Sequence, residues 1–368
     1  MTHMLENSTP ASLGYSMPAE WETHSDTWLA WPHNQVTWND NELREVEKVY
    51  IEIIHHLVGG ERINILINDV HYQHRITTLL HRNKILTDSV RFHEIPTDDA
   101  WARDFVPNFL ARETPFGRQI AVNRWRFNSW GEKYPWKNDD LAEREIVHQV
   151  KLPWFDPGIV LEGGAIDVNG KGTCLTTTSC LLNPNRNGVI SQEKMEKYLK
   201  NYLGVRKVIW LGGGLKGDDT DGHIDNLVRF VNPTTIVYVS EENTSDDNYS
   251  SLKTIPETLK EATDQDENPF TLIPLPMPAA IGYGGNRLPA SYANFYIGNH
   301  SVLAPAFLQS TDNAVADILK DYFPHKKIVS IDSRVLIKGQ GGIHCITQQQ
   351  PAHSPSEFHP FEPKNEWA

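Results

Sequence analysis

Cys345 lies in a setting that suits thiol chemistry. It follows His344 directly and comes shortly after a set of glycines, in the segment GQGGIHCITQQQP at residues 339–351. Glycines let a backbone approach a ligand closely, and a thiolate is an effective nucleophile. The chain has three cysteines, so the alternative is that Cys345 is a small buried hydrophobe. The other two, Cys174 and Cys180, lack the CxxC spacing of a zinc site.

Three more polar clusters interrupt otherwise ordinary sequence. They are DDAWARDF at residues 98–105, VLEGGAIDV at 160–168 and GGGLKGDDTDGHIDNLVRF at 212–230. Each has a structural reading: an Arg–Asp pair in WARD, a turn carboxylate at Glu162 and an exposed acidic loop at residues 218–221. Acids packed as densely as in the third cluster repel one another, so such a loop is expected to face positive charge.

Together the four segments contain the groups needed to attack a planar cation. A thiolate at Cys345 would be the nucleophile, and His223 would transfer protons while Glu162 orients its imidazole. Asp104 and Asp225 would bind a guanidinium by paired hydrogen bonds.

His344 is the alternative proton-transfer residue. It stands directly before Cys345. If the segment is an extended strand, the two side chains point to opposite faces. The sequence therefore favours His223 for this role.

Short strands and helices alternate along the chain and are expected to position these clusters. Residues 40–58 have the apolar spacing of a helix after an Asn/Asp-rich start, and two glycines end it. RINILI then predicts a buried strand, HYQHRITTLLHR a helix and VRFHEIP another strand. The same alternation returns late, in NFYIGNHSVLAPAF, NAVADILKDYF and KIVSIDSRVLI. It predicts one α/β domain over residues 1–368, built from related modules rather than one doubly wound sheet, with irregular surface chain after Pro351.

Composition and charge restrict the functional classes. Hydrophobic residues make up 39% of the 368 residues and charged residues 22%, which is typical of a folded core. The formal net charge of −13 argues against a nucleic-acid partner and mildly favours a cationic ligand. No apolar run approaches the roughly 18 residues of a membrane span. The polar start, MTHMLENSTPASLGYSMP, has no secretory pattern, which predicts a cytoplasmic protein with reduced thiols.

A series of long motifs follows in order along nearly the whole chain. They are MPAEWETHSDTWLAWP, WARD, FNSWGEKYPW, LEGGAIDVNGKGTCLTTTSCLLNPNRN, GDDTDGHIDNLVRF, SYANFYIGN and GIHCITQQQP. In this order they resemble the agmatine deiminase branch of the guanidine-modifying enzymes, a family that also includes bacterial peptidylarginine deiminases. The resemblance implies an α/β fold of the pentein type, a five-bladed propeller of ββαβ-like units around a central active site.

The resemblance also implies a reaction. The guanidinium of agmatine is hydrolysed to N-carbamoylputrescine and ammonia, without a metal ion or an organic cofactor. By the same resemblance Cys345 forms a covalent amidino-cysteine, His223 is the general acid and base, and Glu162 is the carboxylate beside the histidine. Asp104 and Asp225 hold the guanidinium.

The tail of the substrate is implied to lie near Trp101 and Asp219, with Asp219 facing the distal amine. The expected partner is a small cationic guanidino compound, with no nucleic acid and no membrane. A homo-oligomer is compatible with the sequence, which does not specify one.

Two departures from the family pattern affect the expected pocket. Phe105 and Val106 follow WARD where the family commonly has Thr-Gly or Tyr-Gly. Gln340 and Gly342 stand where agmatine deiminases often have Gly and Asn. None of the four removes a catalytic group, so they leave the reaction type as it is and bear on the substrate's tail.

Three other functions remain open at this point. His223, Asp225 and His344 could ligate the divalent ion of a metal-dependent hydrolase, although their spacing fits no standard ligand motif. A non-catalytic binding module could use the same scaffold. Arginine or peptidylarginine could replace agmatine as substrate, and arginine would need a cation, such as Arg287, to meet its α-carboxylate.

Overall fold

The structure is a computed structural model of the 368-residue chain and describes residues 4–5 and 8–353. The segment predicted to be irregular after Pro351 falls almost entirely on residues 354–368, which lie outside the described residues. Within the described part, no helix combines the length and the apolar character needed to cross a bilayer.

Strands and helices alternate through the described chain, which confirms the predicted α/β class. The strands are β1 (His24–Ala30), β2 (Arg62–Ile67), β3 (Val90–Glu94), β4 (Asn108–Thr114), β5 (Gly117–Asn123), β6 (Trp154–Phe155), β7 (Ile166–Val168), β8 (Thr173–Thr177), β9 (Lys207–Leu211), β10 (Val228–Asn232), β11 (Thr235–Ser240), β12 (Thr271–Pro276), β13 (Gly282–Tyr283), β14 (Asn286–Arg287), β15 (Tyr296–Ile297), β16 (Ser301–Ala306), β17 (Lys327–Asp332) and β18 (Gln348–Pro351). The helices are α1 (Asp40–Leu57), α2 (Val70–Arg82), α3 (Ala102–Phe105), α4 (Ser129–Glu132), α5 (Lys137–Val150), α6 (Thr178–Leu181), α7 (Pro184–Asn187), α8 (Gln192–Leu203), α9 (Tyr249–Leu252), α10 (Thr254–Glu261) and α11 (Thr311–Tyr322).

The strands form several small sheets rather than one doubly wound sheet. In the sheet β4–β5–β6 the first two strands are antiparallel and the last two are parallel. The same order of pairings occurs in β7–β8–β9, in β10–β11–β12 and in β15–β16–β17. A helix crosses between the two parallel strands of each sheet, as a parallel connection requires. The expectation of related modules is thereby confirmed at the level of strand pairing.

The first and last described strands lie in one sheet. β18 pairs with β1 in the antiparallel direction, β1 pairs in parallel with β2, and β2 with β3. This sheet repeats the pairings of the other four, with β18 as its first strand. The C-terminal segment that carries Cys345 is therefore held against the N-terminal part of the chain.

Helix α1 illustrates how local sequence specifies these elements. Asn39 caps its N-terminus by accepting hydrogen bonds from the backbone of residues 41 and 42, and Glu42 completes the capping box. Its apolar face, which includes Val46, Ile53 and Leu57, is buried in the hydrophobic core. The helix ends at Leu57, before Gly59 and Gly60, as its sequence predicts.

The segment before β18 differs from the sequence expectation. Residues His344–Ile346 form a 3₁₀ turn, and the extended strand begins only at Gln348. The Thr347 hydroxyl donates to the carbonyls of Ile343 and His344, 3.0 and 3.1 Å away, which stabilises the turn. The strand geometry that would send His344 and its neighbour to opposite faces is therefore absent here.

Candidate active site

The residues predicted to take part in the chemistry, together with Asn294, which was not predicted, occupy equivalent places in the fold. Each lies in the short turn or loop just before the first strand of an antiparallel pair. Asp104 precedes β4, Glu162 precedes β7, His223 and Asp225 precede β10, Asn294 precedes β15 and Cys345 precedes β18. Side chains from these five connections come into contact with one another, as described next. Function-bearing residues commonly lie on such connections, because a rigid scaffold fixes their positions.

Cys345 is held by an asparagine that the sequence analysis did not single out. The Asn294 amide nitrogen lies 3.2 Å from the sulfur, and its amide oxygen accepts from the backbone N–H groups of His344 and Cys345, at 2.9 and 3.4 Å. The sulfur also lies 3.8 Å from Asp225 Oδ2. Burial, with the charges of Asp225 and Asp104, raises the pKa of the Cys345 thiol well above its ordinary value. The protein alone therefore keeps this group as a thiol at neutral pH.

Asp225 is anchored by His344, the residue that the sequence analysis considered as a rival base. His344 Nδ1 lies 2.7 Å from Asp225 Oδ2, and its Nε2 lies 2.8 Å from Glu20 Oε2. Burial opposes ionisation of Asp225, but the hydrogen bond and charge of His344 outweigh it and lower the pKa of this carboxyl. Asp225 Oδ1 is buried without a hydrogen-bond partner among the described residues. The arrangement keeps Asp225 charged and leaves one oxygen for a ligand.

His344 is unavailable to a metal ion in this arrangement, because both of its ring nitrogens already face carboxylate oxygens. The ligand set suggested for a metal-dependent hydrolase, His223, Asp225 and His344, is thus not assembled here.

Asp104 reaches the site from the connection before β4. Its Oδ2 accepts from Trp130 Nε1 and its Oδ1 from the backbone N–H of Gly164, both at 2.9 Å. Burial raises the pKa of Asp104, and the nearby charges of Asp225 and Glu162 add to that shift. The structural reading of WARD as an internal Arg–Asp pair is wrong, because Arg103 instead donates to His344 O, Gln348, Gln349 and Glu20.

His223 is fully buried, and its Nδ1 lies 3.8 Å from Asp104 Oδ1. Burial disfavours the imidazolium, but the negative charge of Asp104, together with the adjacent Cys180 and Glu162, outweighs burial and raises the pKa of His223 well above its ordinary value. Neither ring nitrogen makes a hydrogen bond within residues 8–353. The ring is therefore charged at neutral pH and able to donate a proton.

Glu162 lies beside His223, and a carboxylate oxygen of the first lies within 4.8 Å of a ring nitrogen of the second. No hydrogen bond joins them; Glu162 Oε1 instead accepts from Arg186 Nε at 2.6 Å. Arg186 also donates to the carbonyl of Thr220 and to Asp221. This buried arginine, which the sequence analysis missed, ties the acidic loop to Glu162, so that loop is not simply exposed.

Two glycines permit the close approach of these groups. A Cβ on Gly164 would lie 2.6 Å from His223 Nδ1, 2.9 Å from Asp104 Oδ1 and 3.0 Å from Asp225 Oδ2. A Cβ on Gly163 would lie 2.2 Å from the carbonyl oxygen of Arg103. A side chain at either of the two glycines that follow Glu162 would therefore collide with neighbouring groups of the site.

A cavity of about 640 Å³ leads to Cys345. Of the predicted residues, Trp101, Asp104, Asp219 and Cys345 line it, whereas Glu162, His223 and Asp225 are fully buried and are not among its lining residues. Asp98 and Asp99 add further acids to the lining. The cavity therefore presents several carboxylates to whatever enters it.

The outer part of the cavity contains the residues predicted to meet the tail of a substrate. Trp101 is buried, and a Cβ on Gly341 would lie 2.2 Å from its ring, so that glycine packs flat on the indole. Asp219 Oδ2 accepts from Tyr134 Oη at 2.7 Å. Burial, with the charge of Asp218, raises the pKa of Asp219 to about 6.

The departures from the family pattern divide into two groups. Phe105 and Val106 are buried in the hydrophobic core and do not line the cavity. Gln340 lines it and has a left-handed backbone with φ of 79°. A Cβ on Gly342 would lie 2.4 Å from Asn294 Oδ1, so a side chain there would displace the amide that holds Cys345. Only the second group bears directly on the pocket.

The residues that the sequence analysis missed share a recognisable signal. Asn294 lies in the motif SYANFYIGN and Glu20 in MPAEW, both among the segments that carried the family resemblance. Asn294 also precedes the first strand of an antiparallel pair, as the predicted residues do. A comparison of the segments before β4, β7, β10 and β18 with the segment before β15 would therefore have identified Asn294.

The sequence pattern of the Porphyromonas-type peptidyl-arginine deiminases matches residues 16–351. Agmatine deiminase of Medicago truncatula is 37% identical over 379 aligned positions, which cover 95% of this chain and 99% of that protein. The solved structure of agmatine deiminase of Enterococcus faecalis has a TM-score of 0.88 at 28% identity and covers 96% of this chain and 100% of that one. An agmatine deiminase of C. jejuni solved with substrate bound has a TM-score of 0.82 at 29% identity, covering 92% of this chain and 97% of that one.

These likenesses extend over nearly the full length of each protein and include both the fold and the segments that form the site. The chain belongs to the family of Porphyromonas-type peptidyl-arginine deiminases.

Proposed function

We propose that this protein hydrolyses the guanidinium group of agmatine to N-carbamoylputrescine and ammonia through a covalent amidino-cysteine. The observation that carries the proposal is the acid-lined cavity that Cys345 helps to line, with Asp225 3.8 Å from the Cys345 sulfur. A guanidinium is planar, permanently charged and composed of N–H donors, so carboxylate oxygens are its natural partners. The named relatives act on such a group.

In this proposal Asp104 and Asp225 bind the guanidinium nitrogens and fix its plane against Cys345. The unpartnered Oδ1 of Asp225 supports the assignment, because a buried acceptor without a donor carries a desolvation cost that a bound N–H removes. Asp104 has its own bonds to Trp130 and Gly164, which fix the direction of its carboxylate.

Binding of the cation activates the nucleophile. The acids that raise the pKa of Cys345 are neutralised by the guanidinium, whose charge also favours the thiolate, so the thiol releases its proton to solvent when substrate binds. The thiolate attacks the central carbon to give a tetrahedral adduct. The His223 imidazolium then protonates one amino group, which leaves as ammonia and yields the amidino-cysteine.

The second half returns the enzyme to its starting state. Neutral His223 takes a proton from water, and the hydroxide attacks the amidino carbon. Collapse of that adduct breaks the carbon–sulfur bond, and the hydroxyl proton passes to the departing sulfur, which restores the thiol of Cys345 and releases the ureido product. Glu162, which lies beside His223, stabilises the imidazolium in this scheme. The scheme uses no metal ion or organic cofactor.

The five sheets that share one order of pairings are proposed to be the blades of a five-bladed propeller of ββαβ-like units with the site at its centre. Two observations support this: each of the five sheets contributes site residues from one connection, and β18 pairs with β1. Because that pairing joins the two ends of the described chain, we assign the whole chain to a single catalytic domain.

Agmatine is preferred over arginine because of the charges around the cavity. Asp98, Asp99 and Asp219 suit the amine of agmatine, whereas arginine carries a carboxylate at that end. Lys338 lines the cavity but pairs with Glu42 at 2.7 Å. Arg287 is not a lining residue and pairs with Asp246 at 2.7 Å.

Measuring ammonia release from agmatine, arginine and an arginyl peptide in parallel tests the proposed substrate. We expect kcat/KM for agmatine to exceed that for arginine by at least about 100-fold, because acids at the tail repel a carboxylate and leave it unpaired. A higher kcat/KM for arginine or the peptide would overturn the substrate assignment while leaving the reaction type intact.

The pH dependence of tail recognition provides a separate prediction. Since the pKa of Asp219 is raised to about 6, its carboxylate is charged above that pH and neutral below it. The preference for agmatine over butylguanidine, which lacks the amine, should therefore fall as pH drops through about 6. Taking the ratio of the two kcat/KM values removes the titration of groups at the reaction centre, which both substrates share.

Asp219→Asn is the matched variant for that measurement. It should show a lower ratio that no longer changes near pH 6. An unchanged ratio and pH profile in this variant would mean that Asp219 does not meet the amine. The predictions of a cytoplasmic location, of a homo-oligomer and of no nucleic-acid or membrane partner remain predictions.

A further inference from the structure

A second buried thiol lies next to the catalytic histidine and has no part in the proposed reaction. Cys180 belongs to α6, which follows β8, and its side chain is fully buried. Atoms of Cys180, Glu162 and His223 that can ligate a metal lie within 4.8 Å of one another. Among the described residues, Glu162 Oε2 and both ring nitrogens of His223 are buried without hydrogen-bond partners. The cluster therefore combines three ligand types with polar atoms that lack hydrogen-bond partners.

We propose that Glu162, Cys180 and His223 form an inhibitory binding site for a zinc-like divalent ion. Zinc accepts one sulfur, one nitrogen and one carboxylate oxygen in a tetrahedral site and leaves a fourth position for water. Magnesium and calcium prefer oxygen ligands in larger numbers, so this donor set selects against them. The ion would hold the imidazole that the reaction needs for proton transfer.

The neighbouring arginine does not exclude the ion. Arg186 Nε donates a hydrogen bond to Glu162 Oε1, and Arg186 Nη2 lies 3.8 Å from the Cys180 sulfur. The metal-bound thiolate and the metal-bound neutral imidazole each give up one proton, so a divalent ion replaces two protons and leaves the net charge of the cluster unchanged. The bond to Arg186 uses Glu162 Oε1, and Oε2 has no hydrogen-bond partner among the described residues, so it remains available.

In this proposal the ion enters through the same cavity as the substrate. Asp104 lines that cavity and lies 3.8 Å from His223 Nδ1, so it is a carboxylate that connects the cavity with the cluster. Agmatine and the ion should therefore compete, a consequence that rests on the proposed function. Binding of the ion itself does not depend on it.

Cobalt(II) absorption in a Cys345→Ala background tests the site without using activity. Tetrahedral cobalt with a thiolate ligand gives intense visible bands and a sulfur-to-metal charge-transfer band. The background removes the thiol of Cys345, and the comparison adds either Cys180→Ser or, as the matched control, Cys174→Ser, which alters a buried cysteine outside the cluster. We expect the charge-transfer band with Cys180 present, its loss in the Cys180 variant and its retention in the Cys174 variant.

Other outcomes contradict the proposal. A charge-transfer band that survives Cys180→Ser, or that is absent while Cys180 is intact, would overturn the site. If Cys180→Ser does not retain the native circular dichroism spectrum, Glu162→Gln is used in its place. This variant should bind cobalt with a lower affinity.

The second test measures zinc inhibition in the enzyme that retains Cys345. Zinc should inhibit agmatine turnover, a chelator should reverse the inhibition, and magnesium should have no effect. Cys180→Ser should raise the inhibitory zinc concentration by more than the roughly 10- to 100-fold that loss of an outer-shell partner costs. Unchanged zinc sensitivity in Cys180→Ser would refute inhibition through this cluster, while a protein without agmatine turnover would still give the cobalt result.

Discussion

Cys345→Ser is expected to abolish turnover, with kcat reduced by at least roughly 10⁴-fold, as happens when a covalent nucleophile is removed. A bound guanidinium can lower the pKa of a thiol into the neutral range, but the hydroxyl of serine is far too weak an acid for the same shift to ionise it. Asn294 would still be positioned to contact the new side chain, so the site should remain assembled around an inert group.

Intact-protein mass spectrometry on a quenched reaction measures the intermediate directly. The wild-type protein should carry the mass of one agmatine less ammonia during turnover, and Cys345→Ser should carry none. Cys174→Ser is the matched control, because it replaces a fully buried cysteine in β8 and should retain both adduct and turnover. Near-normal activity in Cys345→Ser would end the covalent scheme.

The secondary structure was largely predictable because its signals are local. The helix at residues 40–58 has a cap, an apolar face and a glycine stop within one stretch of sequence, and it forms as α1. RINILI and VRFHEIP carry the β-branched composition of strands and form β2 and β3. The order of strand pairing depends on contacts between distant segments, and the sequence indicated only that related modules exist.

The chemical groups of the site were predictable, but the links between them were not. Acids, a histidine and a cysteine are visible as residue types in polar clusters. By contrast, the contact of Asn294 with Cys345 spans 51 positions and that of His344 with Glu20 spans 324. Such pairs are set by which strands become neighbours, which no local pattern encodes.

The assignment of His344 shows the same limit at short range. Its expected orientation assumed an extended segment, whereas a 3₁₀ turn precedes the strand. The turn is stabilised by Thr347 and by Asn294, and the second of these lies just before β15, which belongs to another sheet. The extended geometry assumed for this segment begins only at Gln348, so the inference that depended on it was wrong for His344. His344 acts on Asp225, so it is a positioning residue in the proposed site.

Asp225→Asn is expected to reduce kcat/KM by roughly 10³-fold or more, which exceeds the usual effect of losing one neutral hydrogen bond because a charge is lost as well. Asp225 accepts from His344 through one oxygen and is proposed to accept from the substrate through the other. An amide has only one oxygen. If it faces His344, its NH₂ group opposes the N–H donors of the guanidinium; if it is reversed, its NH₂ group opposes His344 Nδ1.

Glu20→Gln separates this direct role from support of the network. Glu20 contacts His344 on the far side from Asp225, so its substitution should disturb the carboxylate only indirectly and cost about 10- to 100-fold, as outer-shell changes do. Steady-state kinetics on both variants, with circular dichroism to verify folding, gives the comparison. Equal losses would assign the effect to collapse of the network, and a nearly wild-type rate for Asp225→Asn would remove Asp225 from the binding of the guanidinium. A larger loss at Asp225 is the result expected if its carboxylate meets the substrate, because only at that position do the lost charge and the added donor face the guanidinium itself.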